Sequence, residues 1–167
     1  MDRDRSKHAA ADEIVARLEA SRDALMQALA GLDEAGIRAR AVASTWSPAE
    51  VLAHLLHSER VLLENARAAL THDTYAVISM TDEQREDEAK RAQRMAVPQI
   101  VHGLLASRRD TTRLLEQLSD PELARPVRHA RLGEQTVGWL FERAAEHELD
   151  HAGQIRAVRD ATSAKST

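Results

Sequence analysis

Two histidines four residues apart, in His147-Glu148-Leu149-Asp150-His151, are the part of this 167-residue sequence best suited to chemistry. On an α-helix, positions i and i+4 lie one above the other, so both imidazoles face the same way. Two neutral imidazoles at that spacing can bind one divalent cation, and an interior site then takes a further ligand from another helix. With eight histidines in the chain, random placement gives about 0.4 pairs at this spacing, and about 0.03 once Glu must follow the first His. The pattern stands above that background.

The third ligand separates the competing chemistries. His-Glu-x-x-His is also the zinc metalloprotease signature, with Glu as general base. Those enzymes take their remaining protein ligand from further along the chain. Here residues 152–167 contain neither His nor Glu, and Gln154 and Ala157 occupy the positions where the longer signature needs Gly and His. Ferritin-like di-iron bundles need two Glu-x-x-His motifs, and Glu148-Leu149-Asp150-His151 is the single example. One metal ion suits this ligand supply. Its third imidazole should come from upstream, where His54 shares a face with Val51, Ser58 and Val61, and His57 lies closer to the flank with Glu50 and Glu64. His54 is the better placed, and His57 is the alternative.

The elements that must position these residues are helices. Ile14, Leu18, Leu25, Leu29 and Leu32 recur at steps of three, four and seven, which predicts a helix over about residues 9–31. Residues from there to Thr45 read as loop. Ser47-Pro48-Ala49-Glu50 combines an N-cap, a proline at the first helical position and a capping box. The helix it starts carries Val51, Leu55, Ser58, Leu62 and Asn65 and ends near Leu70. Within residues 71–97 the stretch Thr81 to Met95 is densely charged, and the segment reads as a solvated excursion with a helical turn or two. A third long helix starts at Pro98, and Ser119-Asp120-Pro121 stops it. The stretch 119–135 reads as a long connection. A fourth helix, about 136–159, sends Leu140, Phe141, Ala144, His147, His151 and Ile155 to one side. This pattern predicts an all-α four-helix bundle with long crossover connections. Residues 9–160 would form one domain, with a flexible N-terminus at 1–8 and a flexible tail at 161–167.

Composition excludes several other classes. Aromatics are 2% of residues and the net charge is −4. Nucleic-acid platforms need stacking rings and excess positive charge. Six glycines and four prolines are too few for an all-β fold, which needs a turn every 8–12 residues or so. With no cysteine there is no disulfide, thiolate metal site or cysteine nucleophile. No apolar run reaches the roughly 18 residues of a membrane helix, and the charged N-terminus lacks the apolar core of a signal peptide, so a cytoplasmic location is expected.

Trp46-Ser47-Pro48-Ala49-Glu50-Val51-Leu52-Ala53-His54-Leu55 resembles the second-helix signature of the DinB-like family, in which Trp-Ser leads into a helix carrying a metal-binding His. His147-Glu148-Leu149-Asp150-His151-Ala152-Gly153-Gln154 is similar to that family's last-helix signature, His-x-x-x-His-x-x-Gln, and Trp139 fits the approach to that helix. The resemblance spans roughly residues 10–160. It implies a four-helix bundle with an extended crossover, often dimeric, holding zinc or nickel on a His triad. Carried over by position, the triad is His54, His147 and His151. Family members include thiol-S-transferases that use mycothiol or bacillithiol and a mycothiol-dependent isomerase.

The resulting expectation is a mononuclear divalent-metal enzyme of the thiol-S-transferase type, in which the metal lowers the pKa of a small-thiol cosubstrate. A metal-dependent hydrolase and a non-catalytic ligand-binding or stress-associated module are the alternatives. Glu148, about 100° of helical rotation beyond His147, is a candidate for orienting a ligand or moving a proton, or else a carboxylate bonded to a neighbouring helix. Gln154, one turn past His151, is a candidate for binding a ligand or steadying a metal ligand, with a plain interhelix hydrogen bond as the equal alternative. Arg125, Arg128, His129 and Arg131 cluster before the last helix; they read first as a solvated basic loop, and Arg128 is the candidate there for carboxylate recognition.

Overall fold

The computed structural model describes residues 8–42 and 45–163. Most of the two expected flexible ends, 1–7 and 164–167, lies outside them. In chain order the elements are α1 (Ala9–Leu29), α2 (Glu34–Arg38), α3 (Pro48–Thr71), β1 (Tyr75–Ala76), α4 (Asp82–Ala92), α5 (Val97–Leu115), α6 (Asp120–Leu123), β2 (Pro126–His129), β3 (Gly133–Thr136) and α7 (Val137–Ser163). The helix α7 therefore continues to Ser163, and His8 at the other end donates from Nδ1 to the Leu118 carbonyl at 2.9 Å.

The long helices α1, α3, α5 and α7 form a four-helix bundle, with α1 packed most heavily on α7, and α3 on both α5 and α7. The expected cap of α3 is present in full. Ser47 Oγ accepts from Glu50 N–H while the Glu50 carboxylate accepts from Ser47 N–H at 2.7 Å. Arg40 and Gln93 also donate to Glu50. Burial works against this buried carboxylate, but the bonds from Arg40, Ser47 and Gln93 outweigh it and hold its pKa below the ordinary value.

The core divides in two. One half gathers Leu18, Leu115, Val127, Leu140 and Phe141, and the other gathers Leu25, Val51, Leu52, Ile100 and Ile155. Between the halves each long helix turns one charged residue inward: Arg22 from α1, Glu59 from α3, Arg108 from α5 and Glu148 from α7. They close an alternating ring, with Arg22–Glu59 at 3.0 Å, Glu59–Arg108 at 2.7 Å, Arg108–Glu148 at 2.8 Å and Glu148–Arg22 at 2.7 Å.

Two crossovers differ from the expectation. Residues 71–97 are largely exposed as expected, but hold a strand and a three-turn helix where a helical turn or two was expected. Thr81 and Gln84 form a second capping box, and Ala89 and Ala92 are buried within the otherwise charged α4. Residues 119–135, expected as a long connection, contain α6 and the hairpin β2–β3. With β1 these make a small sheet of order β1-β2-β3, parallel then antiparallel. Gly133 closes the hairpin at φ +73°, a left-handed conformation that glycine adopts without a Cβ clash. Strands of two to four residues are too short to show a period of two. The short α2 was likewise expected as loop; Asp33 caps it by accepting from Gly36 N–H at 2.7 Å.

One buried residue ties the first crossover down. Asn65 on α3 donates to the Ile78 carbonyl and accepts from both Ile78 N–H and the Tyr75 hydroxyl, each at 2.9 Å. This holds residues 75–80 along α3, beside His54's face of the helix.

Candidate metal centre

His54 arrives from α3 and His147 and His151 from α7. His54 and His151 are buried, and His147 is half-buried. Their Nε2 atoms converge. The His54–His147 separation is 3.2 Å and the His147–His151 separation is 3.0 Å, and one ligand atom of each ring lies within 4.8 Å of the others. On the far side of His151, Nδ1 donates to Gln154 Oε1 at 2.8 Å. That bond sets the tautomer and leaves the Nε2 lone pair aimed at the centre. His54 Nδ1 is buried without a partner among the described residues, and the Trp46 ring packs edge-on against His54.

Burial, followed by the charges that would form on His147 and His151, pushes the His54 pKa down to about 3. Burial and then the neighbouring His151 push His147 down to about 4. Burial also lowers His151, against an opposing contribution from Gln154. The rings are therefore neutral near pH 7, which is the state a metal requires. The spacing fits as well. An ion about 2.1 Å from each nitrogen, at angles between a right angle and tetrahedral, holds neighbouring nitrogens roughly 3.0–3.4 Å apart. The two short separations fall within that span.

A cavity of about 620 Å³ lies over the three rings. Trp46, Trp139, Val61, Leu62 and the residues held down by Asn65 form its apolar wall. This is the size and character of a small-molecule site.

The remaining candidates separate. His57 points elsewhere, with Nδ1 3.6 Å from Glu88. Glu148, a candidate for orienting a ligand or moving a proton, belongs instead to the charged ring. Its Oε1 accepts from Arg22, and its Oε2 accepts from Arg108 and from Ser21 at 2.5 Å. The rotation of about 100° between adjacent helical positions turns it toward α1 while His147 faces α3. Arg128 does not line the cavity. On β2 its neighbour Val127 is buried and Arg128 is exposed, as alternation along a strand requires. From the same cluster His129 and Arg131 reach the cavity instead, joined by Arg85 and Arg143.

Sequence reasoning missed Arg22, Glu59 and Arg108. A signal was present, because each stands four residues after a core leucine: Leu18, Leu55 and Leu104. A charge in the register of an apolar stripe on several helices marks an internal ion network.

The sequence profile of the DinB superfamily matches residues 17–155. Among solved structures the chain is similar to YfiT from Bacillus subtilis, described as a probable metal-dependent hydrolase with an unusual four-helix bundle topology. The identity is 21%, the TM-score 0.71, and the match covers 87% of this chain and 85% of that one. A similar likeness, TM-score 0.70 at 14% identity, links it to a mycothiol-dependent maleylpyruvate isomerase, over 89% of this chain and 65% of that one. TT2238, a four-helix bundle protein, matches at TM-score 0.62 and 23% identity, over 87% of this chain and 96% of that one. At these identities the likeness concerns the fold. No curated protein matches the sequence significantly. A profile match over most of the length, a bundle of this topology and three converging histidines agree: the chain belongs to the DinB superfamily.

Proposed function

We propose that this protein is a mononuclear metalloenzyme of the thiol-S-transferase type, with zinc or nickel held by His54, His147 and His151. The observation that carries the reading is the convergence of three imidazoles beneath an open cavity, with His147 Nε2 at 3.2 Å from His54 Nε2 and 3.0 Å from His151 Nε2. Three imidazoles leave coordination positions free, which distinguishes a reactive site from a closed structural one. The metal would supply Lewis acidity, lowering the pKa of a bound thiol or water.

The cavity wall favours thiol over water. No Asp or Glu lines it among the described residues, and Glu148 is committed to the charged ring. A general base for water is therefore missing from the wall. A small thiol, with an intrinsic pKa near 8.5 for the cysteine type, needs less help to ionise. The chain has no cysteine, so the sulfur nucleophile must arrive with the cosubstrate. A reduced thiol pool places the activity in the cytoplasm, and the family resemblance adds a homodimer, which sedimentation analysis tests.

Elemental mass spectrometry of tag-free protein should find about one zinc or nickel per chain, lost in His147→Ala with the helical circular dichroism intact. Turnover of an electrophile such as 1-chloro-2,4-dinitrobenzene should then require an added small thiol. Metal-dependent turnover of ester substrates without thiol would replace transfer by hydrolysis. A metal-free, fully folded wild type from metal-supplemented medium would reduce the protein to a binding module.

A further inference from the structure

The cavity over the three histidines is unevenly charged. Arg85 from α4, Arg131 from the β2–β3 turn and Arg143 from α7 all line it, and no carboxylate does among the described residues. Arg143 precedes His147 by four residues, so it stands on the same helix face one turn along. Arg85 donates from Nη2 to the Met80 carbonyl at 3.2 Å, which fastens its guanidinium to the segment beside α3. Arg131 forms no ion pair among the described residues. Arg85 and Arg143 pair with Asp82 and Glu146, whose side chains are 94% and 61% exposed. Exposed pairs of this kind are weak and easily exchanged. The rest of the wall is largely apolar, and Ile78 and Leu132 at the rim are 68% and 57% exposed.

We infer that this cavity binds a small organic acid, with its carboxylate taken by the Arg143 and Arg131 guanidiniums and its apolar body laid against Val61, Leu62, Ile78 and Leu132. The inference deepens the proposed function by assigning the chemical class of the molecule bound beside the thiol. Three guanidiniums on three separate segments, two of them paired only with exposed carboxylates outside the lining, give the cavity an excess of positive charge that an anion relieves. Arginine forks match the geometry of a carboxylate. The apolar wall favours a carboxylate on a hydrocarbon frame over a free inorganic anion, which would gain nothing from burial there.

Both tryptophans of the chain, Trp46 and Trp139, line this cavity, so their fluorescence reports its occupancy. The test titrates zinc-incubated protein with octanoate, suberate, octanamide and octyl phosphate, in wild type and in Arg143→Met, Arg131→Met and Arg143→Lys. The expected result is saturable binding of at least one carboxylate and about tenfold weaker binding in each Met variant, with Arg143→Lys in between. Octanamide should bind at least tenfold more weakly than octanoate, by the same loss of the charged contact. Equal binding of amide and acid, or Met variants that bind like wild type, overturns the inference. Tighter, arginine-dependent binding of octyl phosphate overturns the carboxylate assignment. Zinc content and circular dichroism of each sample keep the two readings apart. Arginine-dependent octanoate binding in protein without zinc leaves the anion site standing and removes the metal centre; zinc bound with no carboxylate response removes the anion site alone.

Discussion

Arg22 Nε lies 2.7 Å from Glu148 Oε1 at the middle of the bundle, with both side chains more than nine-tenths out of solvent. This pair joins the first long helix to the last and belongs to a ring in which every guanidinium touches two carboxylates. Burial opposes the Arg108 charge, but Glu59 and Glu148 outweigh it and hold the guanidinium protonated. Such rings are costly to open, because removing one member strands a charge in a region of low dielectric.

Glu148→Gln should therefore destabilise the fold by about 3–5 kcal/mol. Urea denaturation of wild type and variant measures it. A variant as stable as wild type but inactive would return Glu148 to a direct part in the reaction.

Removal of metal provides a second expected outcome. If His54, His147 and His151 bind one ion, metal at a hundred times its dissociation constant stabilises the fold by about 2.7 kcal/mol. Chelation should lower the melting temperature of wild type accordingly and leave the triple alanine variant unmoved. An equal response in both would move the ion to another place.

Gln154→Leu should weaken metal binding by about 10–100-fold without unfolding the protein, because the His151 ring loses the acceptor that fixes its tautomer. Gln154→Glu keeps an acceptor and should bind metal at least as well as wild type. Competition with a chromogenic chelator ranks the three proteins.

Without metal, stability should depend on pH through the same rings. An unfolded histidine takes up a proton near pH 6.5, whereas folded His54 and His147 resist protonation until about 3 and about 4. The unfolded chain thus binds more protons between these values, so stability is greatest above pH 6.5 and falls as pH drops toward 4. Urea midpoints of chelated protein from pH 7 to 4 should decline, and less steeply for His54→Leu. A flat profile in the chelated protein would contradict the neutral, buried state of these rings.

Asn65→Leu should cost about 1–3 kcal/mol, since it leaves the Ile78 backbone groups and the Tyr75 hydroxyl without their partner. Hydrogen exchange should quicken in residues 75–80. Protection there equal to wild type would mean that Asn65 does not anchor this wall of the cavity.

Much of this architecture was legible locally. The period of apolar residues marks four long helices, and the Ser47–Glu50 box marks the start of α3 to the residue. The i, i+4 spacing of His147 and His151 puts both on one face of whatever helix forms. These signals rest on contacts within one or two turns, so no partner element is needed to read them. The hairpin and β1 were not legible, because strands this short owe their existence to the core residue Val127 and to Asn65 across the crossover.

The sequence by itself therefore determined the helices, the histidine pair and the family, because helical period and capping are properties of neighbouring residues. Only the tertiary structure decided which side chains share a site. It brings His54 rather than His57 to the pair, leaves Arg128 off the cavity while Arg131, Arg85 and Arg143 line it, and commits Glu148 to Arg22 and Arg108. The reason is geometric. Adjacent positions on a helix differ by about 100° and those on a strand by half a turn, so the packing of one element on another selects among residues that sequence leaves equivalent.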